Sequence, residues 1–194
     1  MPSVQQASNA LLQRLDTYVW EDEAEYASIL LVKDMLAKYP DIWLQSCEAG
    51  HITGSGLILD RVNDKVLLMY HRKLQYWLQM GGHGEDEFDP AQTALREATE
   101  ESGLIDLKFY SDSESPMLID VDAHIIPARN DKPAHYHLDF RYLFFTQAPE
   151  KIQRLTTEAK DLQWYSFSEI PALQLKPATL RLIKKAEKLL PSSH

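Results

Sequence analysis

The segment from Gly81 to Leu104 constrains the fold of this 194-residue chain more than any other part of the sequence. It begins with two glycines and runs through a short acidic loop into a stretch with helix signals at both ends. Asp89 suits the N-cap, Pro90 suits the first helical position, and Gly103 suits the left-handed residue that closes a helix. The sequence therefore predicts a glycine-rich segment followed closely by a helix over residues 90–102.

The predicted helix has two faces of opposite character. One face is a narrow apolar stripe that would let the helix lie close to a sheet: Ala91, Ala94, Leu95 and Ala98. Glu97, Glu100 and Glu101 share another face, because their spacings are i, i+3 and i+4. Like charges at those spacings destabilise a bare helix, and a divalent cation would offset the repulsion, since Mg²⁺ and Mn²⁺ select oxygen ligands. The glutamates therefore predict a metal site, and the alternative is a solvated acidic face.

The same residues resemble the Nudix box, whose pattern is Gly, five residues, Glu, seven residues, then Arg-Glu-apolar-x-Glu-Glu-x-Gly-apolar. The chain matches seven positions of this pattern: Gly82, Arg96, Glu97, Glu100, Glu101, Gly103 and Leu104. Phe88 stands where the pattern has its first glutamate, and the small Ala98 stands at the apolar position after Arg-Glu. In the family that first glutamate usually supports the arginine, a role for which Glu85, Glu87 and Asp89 are the nearby candidates.

The resemblance implies an α/β fold, an α/β/α sandwich on a mixed sheet, over roughly residues 50–170. It implies a metal-dependent hydrolase that cleaves a phosphoanhydride bond in a nucleoside diphosphate linked to another moiety or in a nucleoside triphosphate. The cofactor would be Mg²⁺ or Mn²⁺, and the partner a small-molecule nucleotide whose identity the box does not specify. The alternative is a catalytically inactive, Nudix-like sensor module. The intact glutamates argue against a sensor, and Phe88 argues for one.

The resemblance also assigns roles to individual residues. The metal ligands would be Gly81, through its carbonyl, and Glu97, Glu100 and Glu101. The catalytic set would be Glu97, Glu101, Arg96 and Glu158. Arg96 would orient the glutamates, and Glu158, in a loop before a predicted strand, would be a general base or metal ligand. A surface glutamate without function is the equally weighted alternative for Glu158.

Two predicted strands carry polar residues at alternate positions, Asp120 to His124 and His135 to Arg141, with apolar residues on the opposite face of the second. The favoured interpretation is the exposed face of an antiparallel sheet. The alternatives are a wall lining a phosphate or base pocket and a His-x-His zinc site. In the pocket interpretation, basic residues upstream of the glycines join the wall as a substrate-binding set: Arg72, Lys73, His83, His135, His137 and Asp139.

The remaining sequence predicts how the chain is organised. Residues 1–45 form an N-terminal extension of two amphipathic helices, for which packing against the main domain or a dimer partner is favoured over a lid. Residues 46–194 form the Nudix domain, which ends in a helix over 177–189. Its strands are predicted at 52–59, 65–71, 75–80, 107–110, 117–127, 135–146 and 161–167, with a turn at 130–133.

Charge and composition narrow the classes of partner. The net charge of −9 argues against binding to a nucleic acid polymer or an anionic membrane. The single cysteine is compatible with a reducing compartment, and neither a leader nor a membrane span is apparent. We therefore expect a soluble cytoplasmic protein, and the amphipathic N-terminal helices add a homodimer to the expectations.

Overall fold

One mixed β-sheet organises the chain. The computed structural model describes residues 3–85, 87–111, 116–129, 132–154 and 156–190. The α-helices are α1 (Val4–Thr17), α2 (Glu23–Lys38), α3 (Pro90–Ser102) and α4 (Pro177–Leu189). The strands are β1 (Gly50–Asp60), β2 (Lys65–His71), β3 (Trp77–Leu78), β4 (Met80–His83), β5 (Lys108–Phe109), β6 (Asp120–Ile126), β7 (His135–Thr146) and β8 (Ala159–Ser166). Short 3₁₀ helices cover Pro149–Lys151 and Ile170–Ala172.

The central strand β1 sets the topology of the sheet. It runs parallel to β7 along its whole length and pairs antiparallel with β2 at one end and with β4 at the other. Strand β6 pairs antiparallel with β7, and β8 pairs antiparallel with β2. Apolar residues of α1, α2 and α3 pack in one core cluster, and those of α4 pack in a second cluster. The predicted sandwich on a mixed sheet with an N-terminal helical extension is confirmed.

Helix α3 lies so close to β1 that no side chain fits between them at Gly54, and the sequence explains why. The alanines of its apolar stripe have no solvent exposure: Ala91, Ala94 and Ala98. Opposite them, any side chain at Gly54 would place its Cβ 2.2 Å from the Pro90 carbonyl oxygen. The helix begins and ends as predicted, since the Asp89 side chain accepts from the Ala91 N–H at 3.1 Å and Gly103 has a φ of 73°.

The N-terminal helices pack on the main sheet rather than apart from it. Leu11 of α1 and Val32 of α2 are buried in the cluster that also contains Phe140 of β7. The Trp43 indole N–H, beyond α2, donates to the Ser8 hydroxyl at 2.9 Å. Packing against the main domain is therefore observed, while the domain boundary at residue 45 stays a prediction. No helix in the described ranges combines the length and the apolar character that crossing a bilayer requires.

The structure changes one detail of the predicted strands. The run predicted at 75–80 is divided between β3 and β4, which pair with different neighbours, β2 and β1. The division brings the glycine-rich segment into the sheet beside β1 rather than leaving it as a turn. In the turn predicted at 130–133, Asn130 and Asp131 lie outside the described residues.

Candidate active site

Glu101 is the deepest of the glutamates on α3. Its residue is 4% exposed, and its Oε2 accepts a hydrogen bond from the backbone N–H of Gly81 at 2.9 Å. The pKa of this carboxyl is raised to about 8, mainly by burial and also by the charges of Glu97, Glu158 and Glu100, while the hydrogen bond from Gly81 acts in the opposite direction. A cation at this point would favour the charged carboxylate.

Glu97 lies directly against the glycine-rich strand. A Cβ at Gly82 would come within 2.4 Å of the Glu97 Oε1, so the missing side chain is what makes room for the carboxylate. Burial raises the pKa of Glu97, and the guanidinium of Arg96, whose Nη1 donates to Oε1 at 3.1 Å, acts in the opposite direction. Two matched positions of the box therefore depend on each other, because a side chain at Gly82 would displace the carboxylate of Glu97.

Arg96 connects the glutamates to the preceding strand and loop. Its Nη1 also donates to Glu100 Oε2 at 3.3 Å, and its Nη2 donates to the His83 carbonyl oxygen at 2.6 Å. Its Nε donates to Glu87 Oε1 at 2.8 Å. All three guanidinium nitrogens of Arg96 donate hydrogen bonds, so the side chain is held rigidly and fixes the carboxylates that it contacts. This arrangement fits the orienting role predicted for Arg96.

Phe88 and Glu87 together account for the departure from the box. The Phe88 ring packs edge-on against Trp43, with ring centroids 6.0 Å apart, and joins the apolar core. Its neighbour Glu87 makes the arginine contact instead. Of the other two candidates, Asp89 caps α3, and the backbone N–H of Glu85 donates to Glu87 Oε2 at 2.9 Å. The supporting carboxylate is thus present one position earlier in the loop.

We expect Glu87→Gln to lower turnover by about 10-fold without unfolding the protein, because a carboxylate that orients a catalytic group acts indirectly. Glu85→Gln is the matched control, because only the backbone of Glu85 contacts Glu87 in the described residues. Steady-state kinetics of both variants provide the measurement. Equal activity of the two variants would show that the Glu87–Arg96 pair does not support the site.

The structure places Glu158, just before β8, close enough to this cluster for its charge to act on it. Its charge raises the pKa of both Glu97 and Glu101, and its Oε2 lies 3.5 Å from His71 Nε2. Arg72 holds this loop: its backbone N–H donates to the Glu158 carbonyl at 2.8 Å, and its Nε donates to the Thr157 carbonyl at 2.9 Å. Arg72 therefore has an observed structural role in holding this loop, and its substrate-binding role stays a prediction.

One end of the polar face formed by β6 and β7 is buried, so the favoured interpretation of an exposed sheet face is wrong for that end. Asp120, Asp139 and Arg141 are 0%, 5% and 3% exposed. Asp139 accepts from Arg141 Nε at 2.8 Å and from the Ser55 hydroxyl at 2.8 Å. Helix α4 covers this end of the face through Arg181, whose Nε donates to Asp120 Oδ2 at 2.6 Å. No local pattern in the sequence points to Arg181, because α4 lies far from β6 and β7 along the chain. Asp139 thus lies within an ion network, and its predicted contact with substrate stays untested.

The other end of this polar face carries histidines. His83, His135 and His137 are half-buried there, and the Nε2 atoms of His83 and His137 are 3.3 Å apart. Lys73, in contrast, is exposed on the loop after β2, where its backbone N–H donates to His71 Nδ1 at 3.2 Å. The predicted substrate-binding residues therefore lie in three places. His83, His135 and His137 lie at the histidine end of the polar face, and Asp139 lies in the buried ion network. Arg72 and Lys73 lie in the loop after β2, near Glu158.

Solved structures share this fold. A NUDIX family hydrolase from Clostridium perfringens has 24% identity and a TM-score of 0.50, over 72% of this chain and 97% of that chain. The NUDIX domain of Shewanella oneidensis NrtR, complexed with ADP ribose, has 18% identity and a TM-score of 0.50, over 81% and 97%. An Ap4A hydrolase from C. elegans has 16% identity and a TM-score of 0.51, over 72% and 96%.

At these identities the structural similarity establishes the fold alone. No curated protein sequence matches the chain. The sequence model of a family described as the NUDIX domain, however, matches residues 50–186, which is more than half of the chain. The matched region contains the whole of α3 and the glycines before it. The chain therefore belongs to the NUDIX domain family.

Proposed function

We infer that this chain is a Nudix-type nucleotide pyrophosphohydrolase. It hydrolyses a phosphoanhydride bond in a nucleoside diphosphate linked to another moiety or in a nucleoside triphosphate. The observation that carries this proposal is the position of Glu97 and Glu101 beside the glycine strand, with Glu101 almost fully buried and Glu100 linked to Glu97 through Arg96. Burial raises the pKa values of Glu97 and Glu101, and buried carboxylates of this kind are typical of functional sites.

The donor set fits a divalent cation of the Mg²⁺ or Mn²⁺ type. Its side chains offer carboxylate oxygens, which these ions prefer. The residues that would hold the ion are Gly81, through its carbonyl, Glu97, Glu100 and Glu101. When bound, such an ion neutralises phosphate charge and lowers the pKa of a coordinated water.

The protein's own residues position the reactants. Hydrolysis forms a bond from the water oxygen to phosphorus, breaks one anhydride P–O bond, and releases a proton. Glu158 is assigned to accept this proton, since its carboxylate is half-exposed, its charge raises the pKa values of Glu97 and Glu101, and it has only His71 as an ion partner in the described residues. Arg96 holds Glu97 and Glu100 in place through its guanidinium. The half-buried histidines and exposed Lys73 are assigned to the nucleotide and its phosphates.

The fold relatives define which substrates to test first. The Shewanella oneidensis domain is complexed with ADP ribose, and the C. elegans protein is an Ap4A hydrolase. A bifunctional NMN adenylyltransferase/ADP ribose pyrophosphatase from Francisella tularensis has been solved with AMP and a Mn ion, with 19% identity and a TM-score of 0.50 over 94% of this chain and 53% of that chain. ADP-ribose, dinucleoside polyphosphates, nucleotide sugars and oxidised nucleoside triphosphates form a suitable panel.

We expect at least one compound of this panel to be cleaved when Mg²⁺ or Mn²⁺ is present, with phosphate-containing products separated by chromatography. Chelation by EDTA should abolish turnover, and re-addition of the metal should restore it, because the carboxylates alone repel an anionic substrate. Tight, metal-independent binding without any product would instead favour the nucleotide sensor. Turnover that persists in EDTA would contradict the proposed metal dependence.

Two further expectations from the sequence concern the cellular location and the oligomeric state of the protein. A cytoplasmic location and a homodimer both stay predictions. Light scattering of the purified protein measures the oligomeric state directly, and fractionation of the producing cells measures the location.

A further inference from the structure

Three histidines from three neighbouring strands meet at one point of the sheet. The pairing of β1 with β7 places His51 opposite His137, and the pairing of β1 with β4 places His83 opposite Thr53. Because residues two apart in a strand share a face, His51 and His83 lie on the same side. One ring nitrogen from each of His51, His83 and His137 lies within 4.8 Å of the other two.

We propose that His51, His83 and His137 form a binding site for a transition-metal ion of the zinc class, separate from the carboxylate site on α3. In a tetrahedral site with zinc–nitrogen bonds of about 2.0–2.1 Å, the ligand nitrogens lie about 3.3–3.4 Å apart. The Nε2 atoms of His83 and His137 are already 3.3 Å apart. Three protein ligands leave the fourth position for water or for a substrate oxygen.

An independent observation at His51 supports a ligand at this point. The residue is 2% exposed, and neither of its ring nitrogens has a hydrogen-bond partner among the described residues. The Cys47 carbonyl approaches the ring and favours its protonated form, but the contact does not have hydrogen-bond geometry. A buried polar atom without a partner is rare and costs free energy comparable to a lost hydrogen bond. A bound metal would give one of these nitrogens its partner.

The protonation state of the cluster suits metal binding. Burial, followed by the charges of neighbouring histidines, lowers the pKa of His51 to about 4 and that of His137 to about 2. Burial likewise lowers the pKa of His83. Neutral imidazole is the form that ligates metals, so the site needs no deprotonation near neutral pH. Imidazole nitrogen also selects zinc-class ions over Mg²⁺, which distinguishes this site from the carboxylates.

The histidine cluster is mechanically linked to the candidate active site. The carbonyl oxygen of His83 accepts from Arg96 Nη2 at 2.6 Å, and Gly82, the residue before it, leaves the space that the Glu97 carboxylate occupies. A metal on His83 would therefore fix the strand against which Glu97 lies. This proposal stands on the histidines alone and does not depend on the proposed hydrolase activity.

Metal titration of the full chain tests the site. The chelator-stripped protein, kept in millimolar Mg²⁺ to occupy the carboxylates, should bind one Zn²⁺ per chain by elemental analysis and calorimetry. Co²⁺ in place of Zn²⁺ should give the visible absorption of a tetrahedral nitrogen site. His51→Ala should weaken Zn²⁺ binding by at least about 100-fold, since even residues that only orient metal ligands contribute 10–100-fold.

Further variants keep the test decisive if His51→Ala does not fold. His83→Gln changes a half-buried ligand and should cause a loss of Zn²⁺ affinity of the same size. His71→Gln, a histidine outside the cluster, and Glu101→Gln, a carboxylate of α3, should leave Zn²⁺ affinity unchanged. The absence of Zn²⁺ binding in the unmodified chain, unchanged binding in His83→Gln, or a loss confined to Glu101→Gln would each overturn the proposal.

Discussion

Replacing Glu101 by Gln is expected to lower kcat by about 10³-fold while making the metal-free protein more stable at alkaline pH. The loss of activity follows from the removal of one charged oxygen ligand from the proposed metal site, at a cost of about 4 kcal/mol in the transition state. The amide oxygen of Gln can still accept from the Gly81 N–H, so the local fold is expected to persist. One substitution should therefore change activity and stability in opposite directions.

The gain in stability has a defined pH range. The pKa of Glu101 is about 8 in the folded chain, against an ordinary value of 4.5. Between these pH values the folded state retains a proton that the unfolded state releases, so the free energy of unfolding falls as pH rises. Gln removes this loss, together with the repulsion from Glu97, Glu100 and Glu158. The difference between the two proteins should be absent at about pH 4 and complete at about pH 9.

Thermal melts in EDTA at these two pH values measure the stability difference, and steady-state kinetics in Mg²⁺ measure kcat. Glu187→Gln on the exposed side of α4 is the matched control, since it makes the same chemical change at a solvent-exposed position outside the cluster. It should alter neither quantity. Retained activity in Glu101→Gln would contradict the proposed hydrolase site. An unchanged melting temperature at about pH 9 would contradict the inference that the charged Glu101 carboxylate destabilises the metal-free fold.

The local features of α3 could be predicted from the sequence because their causes are local. Asp89 and Gly103 act within one turn of the helix ends that they define. The alanine stripe predicts close packing from side-chain size alone, and Gly54, its partner on β1, shows how little space remains. The spacing of the glutamates fixes their common face, which is the geometry on which the candidate site depends.

The polar face could not be predicted in the same way, because its character depends on distant segments. Alternating polar residues in β6 and β7 are typical of a solvated sheet face. In the fold, α4 lies over this face and supplies Arg181 and Lys185, which are 61 and 65 positions beyond Asp120 by their numbering. His51 was missed for a related reason: only the parallel pairing of β1 with β7 places it beside His137.

The departure at Phe88 shows how a neighbouring residue can supply a contact that the pattern places elsewhere. The resemblance predicts a carboxylate near the arginine, and the structure places one there at the preceding position of the loop. Here the aromatic ring is used to join the loop to Trp43, and Glu87 supplies the contact to Arg96. Sequence alone left three acidic candidates, because loop conformation decides which side chain reaches the guanidinium.

Asp120→Asn is expected to destabilise the protein by about 3–5 kcal/mol, lowering the melting temperature by roughly 10 °C for a chain of this size. Asp120 is fully buried and contacts three cations: Arg181 Nε at 2.6 Å, Arg141 Nη1 at 3.2 Å and Lys185 Nζ at 3.2 Å. Lys185 in turn donates to the buried Glu25 of α2 at 2.5 Å. Removing one negative charge leaves buried cations incompletely neutralised and loosens the contact between α4 and the sheet.

Urea unfolding at neutral pH measures this loss, with Asp16→Asn as the matched control. Asp16 accepts from Lys33 Nζ at 2.6 Å, but its side chain is 67% exposed, and an exposed ion pair contributes at most about 1 kcal/mol. The two variants make the same chemical change in a similar ion pair and differ in burial. If they lower the free energy of unfolding equally, the network around Asp120 does not join α4 to the sheet. A loss confined to Asp120→Asn would show that burial makes this carboxylate indispensable, because no solvent can replace it as a partner for the cations.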